Sequence, residues 1–182
     1  MDQATLSDIL CASGSIPLTN PGQHSPLGMR QNRVIAEVVG PDGEVKQRVD
    51  HTGNIMLTYG LNRAVEMLAS DTGGASGWVS AMAIGTDTTA ANSTNNALGN
   101  STQIIHLSQA SMVASDGGNL TLQYNGTFAS DGNAAAINEV GLFATNAATA
   151  AGVARSVLGT DSINRGSADE IRISYQVVFG TV

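Results

Sequence analysis

Between Glu170 and Phe179 the apolar side chains fall on every second residue, Ile171, Ile173, Tyr175, Val177 and Phe179, with Arg172, Ser174 and Gln176 among the residues between them. A period of two belongs to a strand with one dry face and one wet face, and a helix would scatter such a run around its circumference. The pattern recurs from Leu120 to Phe128, where Leu120, Leu122, Tyr124 and Phe128 take one side and Thr121, Gln123, Asn125 and Thr127 the other. Ribbons of this kind need a second layer against which to bury their dry faces, so the sequence predicts a mainly β chain built in two layers.

Shorter segments fill in the plan. Val34 to Val39 and Glu44 to Val49 flank Gly40-Pro41-Asp42-Gly43, where proline presets a turn dihedral and glycine accepts positive φ, which predicts a hairpin. Leu57, Leu61, Ala64, Val65 and Leu68 recur at helical spacing and predict one helix over residues 58–69. Trp78 to Ile84 reads as a strand and Gly85 to Asn100 as a surface loop rich in Thr, Ala and Asn. Gln103 to Val113 and Asn119 to Phe128 read as a second hairpin about Asp116-Gly117-Gly118, and Ala136 to Phe143, Gly152 to Leu158 and Glu170 to Phe179 as the closing strands. The expected fold is a single-domain antiparallel β-sandwich with one α-helix over residues 34–182. An extended N-terminal arm, residues 1–33, precedes it, broken by Gly14, Pro17, Pro21, Gly22, Pro26 and Gly28.

Composition narrows the classes of function. Of 182 residues only 13% are charged, with 15 acids against 8 bases, and a net charge of -7 opposes a nonspecific grip on nucleic acid or on an anionic membrane. Protein partners are expected instead. Cys11 is the one cysteine, so neither an intrachain disulfide nor a thiolate metal cage is available. The opening MDQATLSDIL has an acid at Asp2, no basic n-region and no long apolar run, which predicts no signal peptide or membrane span and points to assembly in the cytoplasm.

Candidate chemistry is sparse. His24, His51 and His106 lack metal-ligand spacing, there is no GxSxG elbow, and Gly85-Thr86-Asp87 lacks the GK[ST] ending of a phosphate loop. Asp116-Gly117-Gly118-Asn119 and Asp131-Gly132-Asn133 offer oxygens but not the spaced carboxylates of a calcium loop, so both read as turns. Sequons at Asn92, Asn100, Asn119 and Asn125 read as by-products of abundant Asn and Thr. No catalytic residue, metal ligand or cofactor is assigned. Glu139 stands out as an acid inside a mostly apolar strand, where burial costs several kcal/mol unless amides or a cation satisfy it, roughly 2–7 kcal/mol for even a neutral polar group. Arg155 in the next strand is the expected partner, as a structural ion pair or with Glu139 as a carboxylate tying down a loop.

An ordered set of motifs runs from about Gly53 to Gly180: Gly53-Asn54, Gly60-Leu61-Asn62, Met82-Ala83-Ile84-Gly85-Thr86 with a small-residue loop to Leu98, Ile137-Asn138-Glu139-Val140-Gly141-Leu142-Phe143, Val153-Ala154-Arg155, and Ile171 to Phe179. In order and spacing this set resembles tailed-bacteriophage virion structural proteins, in particular the N-terminal attachment region of tail-collar fibre proteins. The resemblance implies a noncatalytic homo-oligomeric module that docks on other virion proteins, tail or capsid subunits, with Glu139, Gly141, Phe143 and Arg155 in structural roles. A tail adaptor, collar or fibre-base protein is the first expectation, because the resemblance is to a fibre base. A capsid decoration protein is the alternative, and a carbohydrate-binding β-sandwich a more distant one.

Overall fold

The computed structural model describes residues 27–29, 32–62, 79–107, 111–114, 120–145 and 151–181. Its strands are β1 (Leu27–Met29), β2 (Asn32–Val39), β3 (Val45–Met56), β4 (Ala81–Gly85), β5 (Ser101–His106), β6 (Ser111–Ala114), β7 (Leu120–Phe128), β8 (Ala135–Ile137), β9 (Glu139–Phe143), β10 (Gly152–Val157), β11 (Ile163–Arg165) and β12 (Glu170–Thr181). Residues 58–62 are helical, and the remainder of the helix expected to residue 69 lies outside the described residues. The fold is mainly β and antiparallel, as the alternation requires.

The strands hydrogen-bond in the order β5-β4-β9-β10-β3-β2-β12-β7-β6, with β1 beside the end of β12, while β8 and β11 form a separate pair. β3 joins the two layers. From Val45 to Asn54 it pairs with β2, and its last two residues, Ile55 and Met56, pair with β10. Gly53, just before that handover, has φ of 122°, a conformation open to glycine and strained for other residues. One layer is thus β3-β2-β12-β7-β6 and the other β5-β4-β9-β10. Between them, Met82, Ile84, Val140 and Leu142 share one buried cluster with Tyr124, Phe128, Ile173 and Tyr175.

β12 follows its alternation: Ile171, Ile173, Tyr175 and Val177 are buried, and Arg172 is exposed. In β7, Tyr124 and Phe128 are buried and Asn125 and Thr127 exposed, although Thr121, assigned to the wet face, is buried. The hairpin about Gly40–Gly43 forms, closed by Gly40 N–H donating to the Glu44 carbonyl at 2.9 Å.

Several expected boundaries are corrected. Gln103 to Val113 is not one strand: β5 lies in one layer against β4, β6 lies in the other against β7, and the chain crosses between them. The β4–β5 ladder runs out at Ala81 opposite His106, so the chain is free to leave the layer there. Ala136 to Phe143 divides at Asn138, whose N–H donates to the Gly85 carbonyl (2.9 Å) and whose Nδ2 donates to the Thr86 carbonyl (2.9 Å), diverting it from either ladder. β11 was not anticipated. The end of the expected arm belongs to the sheet: β1 pairs with Phe179–Thr181, and Arg33 of β2 pairs with Thr52 of β3 and Gln176 of β12. Residues 1–26, Trp78 and the turn at 116–118 lie outside the described residues. Among the described residues no helix is long and apolar enough to cross a membrane.

Tyr175 carries a sharp energetic expectation. Its ring is buried in the main cluster and its hydroxyl has no hydrogen-bond partner among the described residues, so burial pushes its ionisation far up, as it pushes Tyr124 up to about 12. An unmade buried hydrogen bond costs about 1–3 kcal/mol. Tyr175→Phe removes the hydroxyl and keeps the ring, so its urea unfolding midpoint should equal or exceed that of the parent chain. A loss above about 1 kcal/mol would show that the hydroxyl is satisfied after all.

Candidate functional site

β4, β9 and β10 are covered on both sides, which explains why they read as nearly unbroken apolar runs. Ala81 to Gly85, Glu139 to Phe143 and Gly152 to Ser156 are all buried. Their inner faces join the main core. On the outer face a second cluster of Ala81, Ala83, Phe143 and Leu98 forms, and Leu98 comes from the loop at residues 86–100, which drapes over the sheet. Small residues make the close approach possible. A Cβ on Gly141 would strike the Phe143 ring and Leu98, and one on Gly85 would strike the Glu139 carboxylate and the Asn100 carbonyl.

Glu139 lies on this covered face and is completely buried. Its carboxylate accepts N–H groups from the loop: Asn100 at 2.8 Å and Asp87 at 3.4 Å on Oε1, and Gly99 at 3.0 Å on Oε2. Arg155 adds Nε at 3.0 Å and Nη2 at 2.8 Å on Oε2. Both expected roles are therefore combined in one residue. Arg155, itself buried, extends the network: Nη1 donates to Asn95 Oδ1 (3.0 Å), and Nη2 donates to Asp87 Oδ2 (2.9 Å) and the Thr89 carbonyl (3.3 Å). Side-chain acceptors then set the loop's own turns. Asp87 Oδ1 accepts from Thr89 N–H and Oγ1, and Asn95 Oδ1 accepts from Asn92 N–H. Ser93 and Asn96 carbonyls close the other side, accepting from Thr58 and Gly152 N–H at 2.8 and 2.9 Å.

The four residues singled out from the sequence thus meet in one place. Glu139 and Arg155 hold the loop by charge, while Gly141 and Phe143 hold it by fit. Asp87, Asn95 and Gly99 were missed, since nothing in a Thr/Ala/Asn-rich tract marks which residues turn inward.

A second brace was also missed. Arg165 of β11, almost fully buried, donates to Gln103 Oε1 at 2.9 Å and to Asp131 Oδ2 at 2.7 Å. It pins the Asp131-Gly132-Asn133 turn, whose Asn133 N–H donates to Asp131 Oδ1 at 2.9 Å and whose Gly132 has φ of 81°. Asp131 is committed to an arginine and to its own turn. Lys46 meets Asp169 at 2.7 Å, and Asp169 also accepts from Gly166 N–H. His51 meets Asp161 at 3.0 Å, whereas His106 is exposed at the end of β5. The two described histidines are thus separate in the fold. Among the described residues no group of three or more His, Cys, Asp or Glu could hold a metal ion.

These carboxylates lend stability a dependence on acid pH. The Thr89 backbone N–H and hydroxyl, then Arg155, hold Asp87 below the ordinary range; the Asn133 N–H and Arg165 do so for Asp131, and Lys46 and the Gly166 N–H for Asp169. A depressed folded-state pKa means that the unfolded chain takes up protons first as pH falls. The contribution is full above the unfolded value near 4 and disappears as pH falls through the lower folded values. The thermal midpoint should hold from neutral pH to about pH 5 and decline steadily below pH 4, and Asp131→Asn should flatten that decline. A midpoint unchanged down to pH 2.5 would contradict the assignment.

A comparison with family models, curated proteins and solved structures finds no match to this chain.

Proposed function

We propose that this chain is a noncatalytic structural subunit of a tailed-phage virion, acting at the tail as an adaptor, collar or fibre-base protein. What supports the reading is the convergence of motifs that are far apart in sequence. Met82–Gly85, Glu139–Phe143 and Val153–Arg155 lie in the adjacent strands β4, β9 and β10, β3 with Gly53-Asn54 borders them, and the small-residue loop to Leu98 is fastened across their outer face. These members of the ordered set lie together in one layer and its covering loop, while Ile171 to Phe179 lies in β12 of the other layer. Glu139 and Arg155 are spent on bracing the loop, which suits a module that presents a fixed surface to neighbouring subunits.

Immunogold labelling of purified particles, with antibody against the full chain, tests the proposal. Gold at the tail or collar is the expected result; gold over the head favours a decoration protein, and particles without label or the corresponding polypeptide overturn the virion reading. Deleting residues 1–26, which leaves β1 and its pairing to β12 intact, should abolish incorporation while leaving the thermal midpoint unchanged. Normal incorporation of the truncated chain would remove the arm from the assembly model.

A further inference from the structure

The wet face of the first layer carries its side chains in transverse rows. Across β2, β12 and β7 the register aligns Arg33, Gln176 and Gln123, then Ile35, Ser174 and Asn125, then Glu37, Arg172 and Thr127; Arg48 of β3 lies beside Glu37. Ser174 is the short side chain at the centre, and around it lies an open depression of about 480 Å³ lined by Glu37, Arg48, Gln123, Asn125, Arg172 and Gln176 among others. Past Arg172 a second depression of about 350 Å³ continues to the turn at Gly40–Gly43. Both volumes fall within the roughly 300–1,000 Å³ of small-ligand sites.

We propose that this face binds a segment of polysaccharide through side-chain amides, hydroxyls and guanidinium groups. The donors and acceptors are prearranged: Gln176 Nε2 donates to Gln123 Oε1 at 3.2 Å, and Gln123 Nε2 donates to Asn125 Oδ1 at 3.0 Å. Free capacity remains. Among the described residues Arg172 spends only Nε, on Glu170, and Arg48 only Nη1, on Glu37, so each keeps further N–H donors. The exposed amide and guanidinium forks of Asn125, Arg172 and Arg48 match the vicinal hydroxyls of a sugar, which both donate and accept.

Other polymers fit this surface less well. An extended peptide bound by strand addition needs free main-chain groups, and β12 is paired along Glu170–Gln176 with β2 on one side and β7 on the other from Ile171 onward. Nucleic acid would meet Glu37 and Glu170 in a chain of net charge -7. A second copy of this chain would find Ile35 as the single outward aliphatic side chain in the central row, too little for the apolar centre of a stable dimer. Among the described residues no aromatic ring lines the depression, so binding rests on hydrogen bonds and should be modest in affinity. The inference is independent of the virion reading, since it concerns the layer opposite the braced loop.

The test is titration of the ¹⁵N-labelled full chain with hexasaccharides of α-1,4-glucose, β-1,4-glucose, β-1,4-N-acetylglucosamine and α-1,4-galacturonate, followed by nuclear magnetic resonance. At least one hexamer should move the side-chain amide signals of Gln123, Asn125 and Gln176 saturably at millimolar concentration, while the Asn95 amide behind the loop stays still. Arg172→Ala and Asn125→Ala, both at exposed positions, should each weaken binding by up to about tenfold. Arg172→Lys, which keeps the charge and loses the planar fork, should weaken it nearly as much and gives a variant of minimal structural risk. Silence of all three amides with every hexamer overturns the proposal. So does binding that maps elsewhere or survives both substitutions, and so does a stronger response of the same signals to single-stranded DNA or to an extended peptide.

Discussion

Arg155→Ala is expected to cost about 3–5 kcal/mol of folding stability, the effect of stripping a buried carboxylate of its cation. Glu139 has no exposed surface, so its charge would remain with only the loop N–H groups around it. Asn95 and Asp87 would lose their common donor too. Glu139→Gln should cost less, about 1.5–3 kcal/mol, because an amide keeps the shape but turns a donor toward the donors at Gly99 or Arg155. The exposed Glu44→Gln is the control, expected within about 0.5 kcal/mol of the parent. Urea denaturation of the three variants measures all of this.

Joint replacement decides what the pair is for. A buried ion pair that served only itself could be exchanged for apolar residues of similar volume at little cost. Glu139 also accepts three backbone N–H groups of the loop, and these have no other acceptor among the described residues. The double variant Glu139→Leu with Arg155→Met should therefore stay well below the parent, with fast hydrogen exchange at Gly99 and Asn100. Recovery to parental stability would reduce the carboxylate to a charge partner.

Legibility in the sequence followed solvation. β12 and β7 announced themselves because each has one face in water, so that Arg172 and Asn125 mark the spaces between Ile171, Ile173, Tyr124 and Phe128. β4, β9 and β10 are buried on both faces and lose that marking; their existence was legible from apolar runs, their limits less so. Periodicity also carries no information about which layer a strand joins. Gln103 to Val113 therefore reads as one piece although β5 and β6 belong to different layers.

The site divides along similar lines. Glu139 was legible because an acid in an apolar strand must be answered, and Arg155 is the cation two strands' length away in a chain with only 8 bases. Asp87, Asn95, Gly99 and Asn100 were not legible, because a loop without periodicity gives each polar residue the same appearance until its path is known. Arg165 and Asp131 failed to register for another reason. β11 has only three residues, and its placement is decided by tertiary bonds such as Gln47 Nε2 to the Ser162 carbonyl and Asn164 N–H to Gln47 Oε1.

Phe143→Ala is expected to destabilise by about 3–5 kcal/mol, the range for truncating a fully buried aromatic ring. The location of the damage matters more than its size. Phe143 packs with Leu98 on the covered face, so the cavity would open beneath the loop, whereas Phe128→Ala would open one between the layers. Phe143→Ala should thus speed hydrogen exchange at Gly99 and Asn100 before the β7–β12 ladder is affected, and Phe128→Ala should lower protection throughout. Gly141→Ala attacks the same contact from the other side, since its new methyl would press on the Phe143 ring and Leu98, and overpacking of that kind costs about 1–3 kcal/mol. The two substitutions are in contact and should partly compensate, because the space vacated by the ring receives the methyl. A double variant no more stable than the sum of the single losses predicts would show that loop and sheet do not meet through this pair.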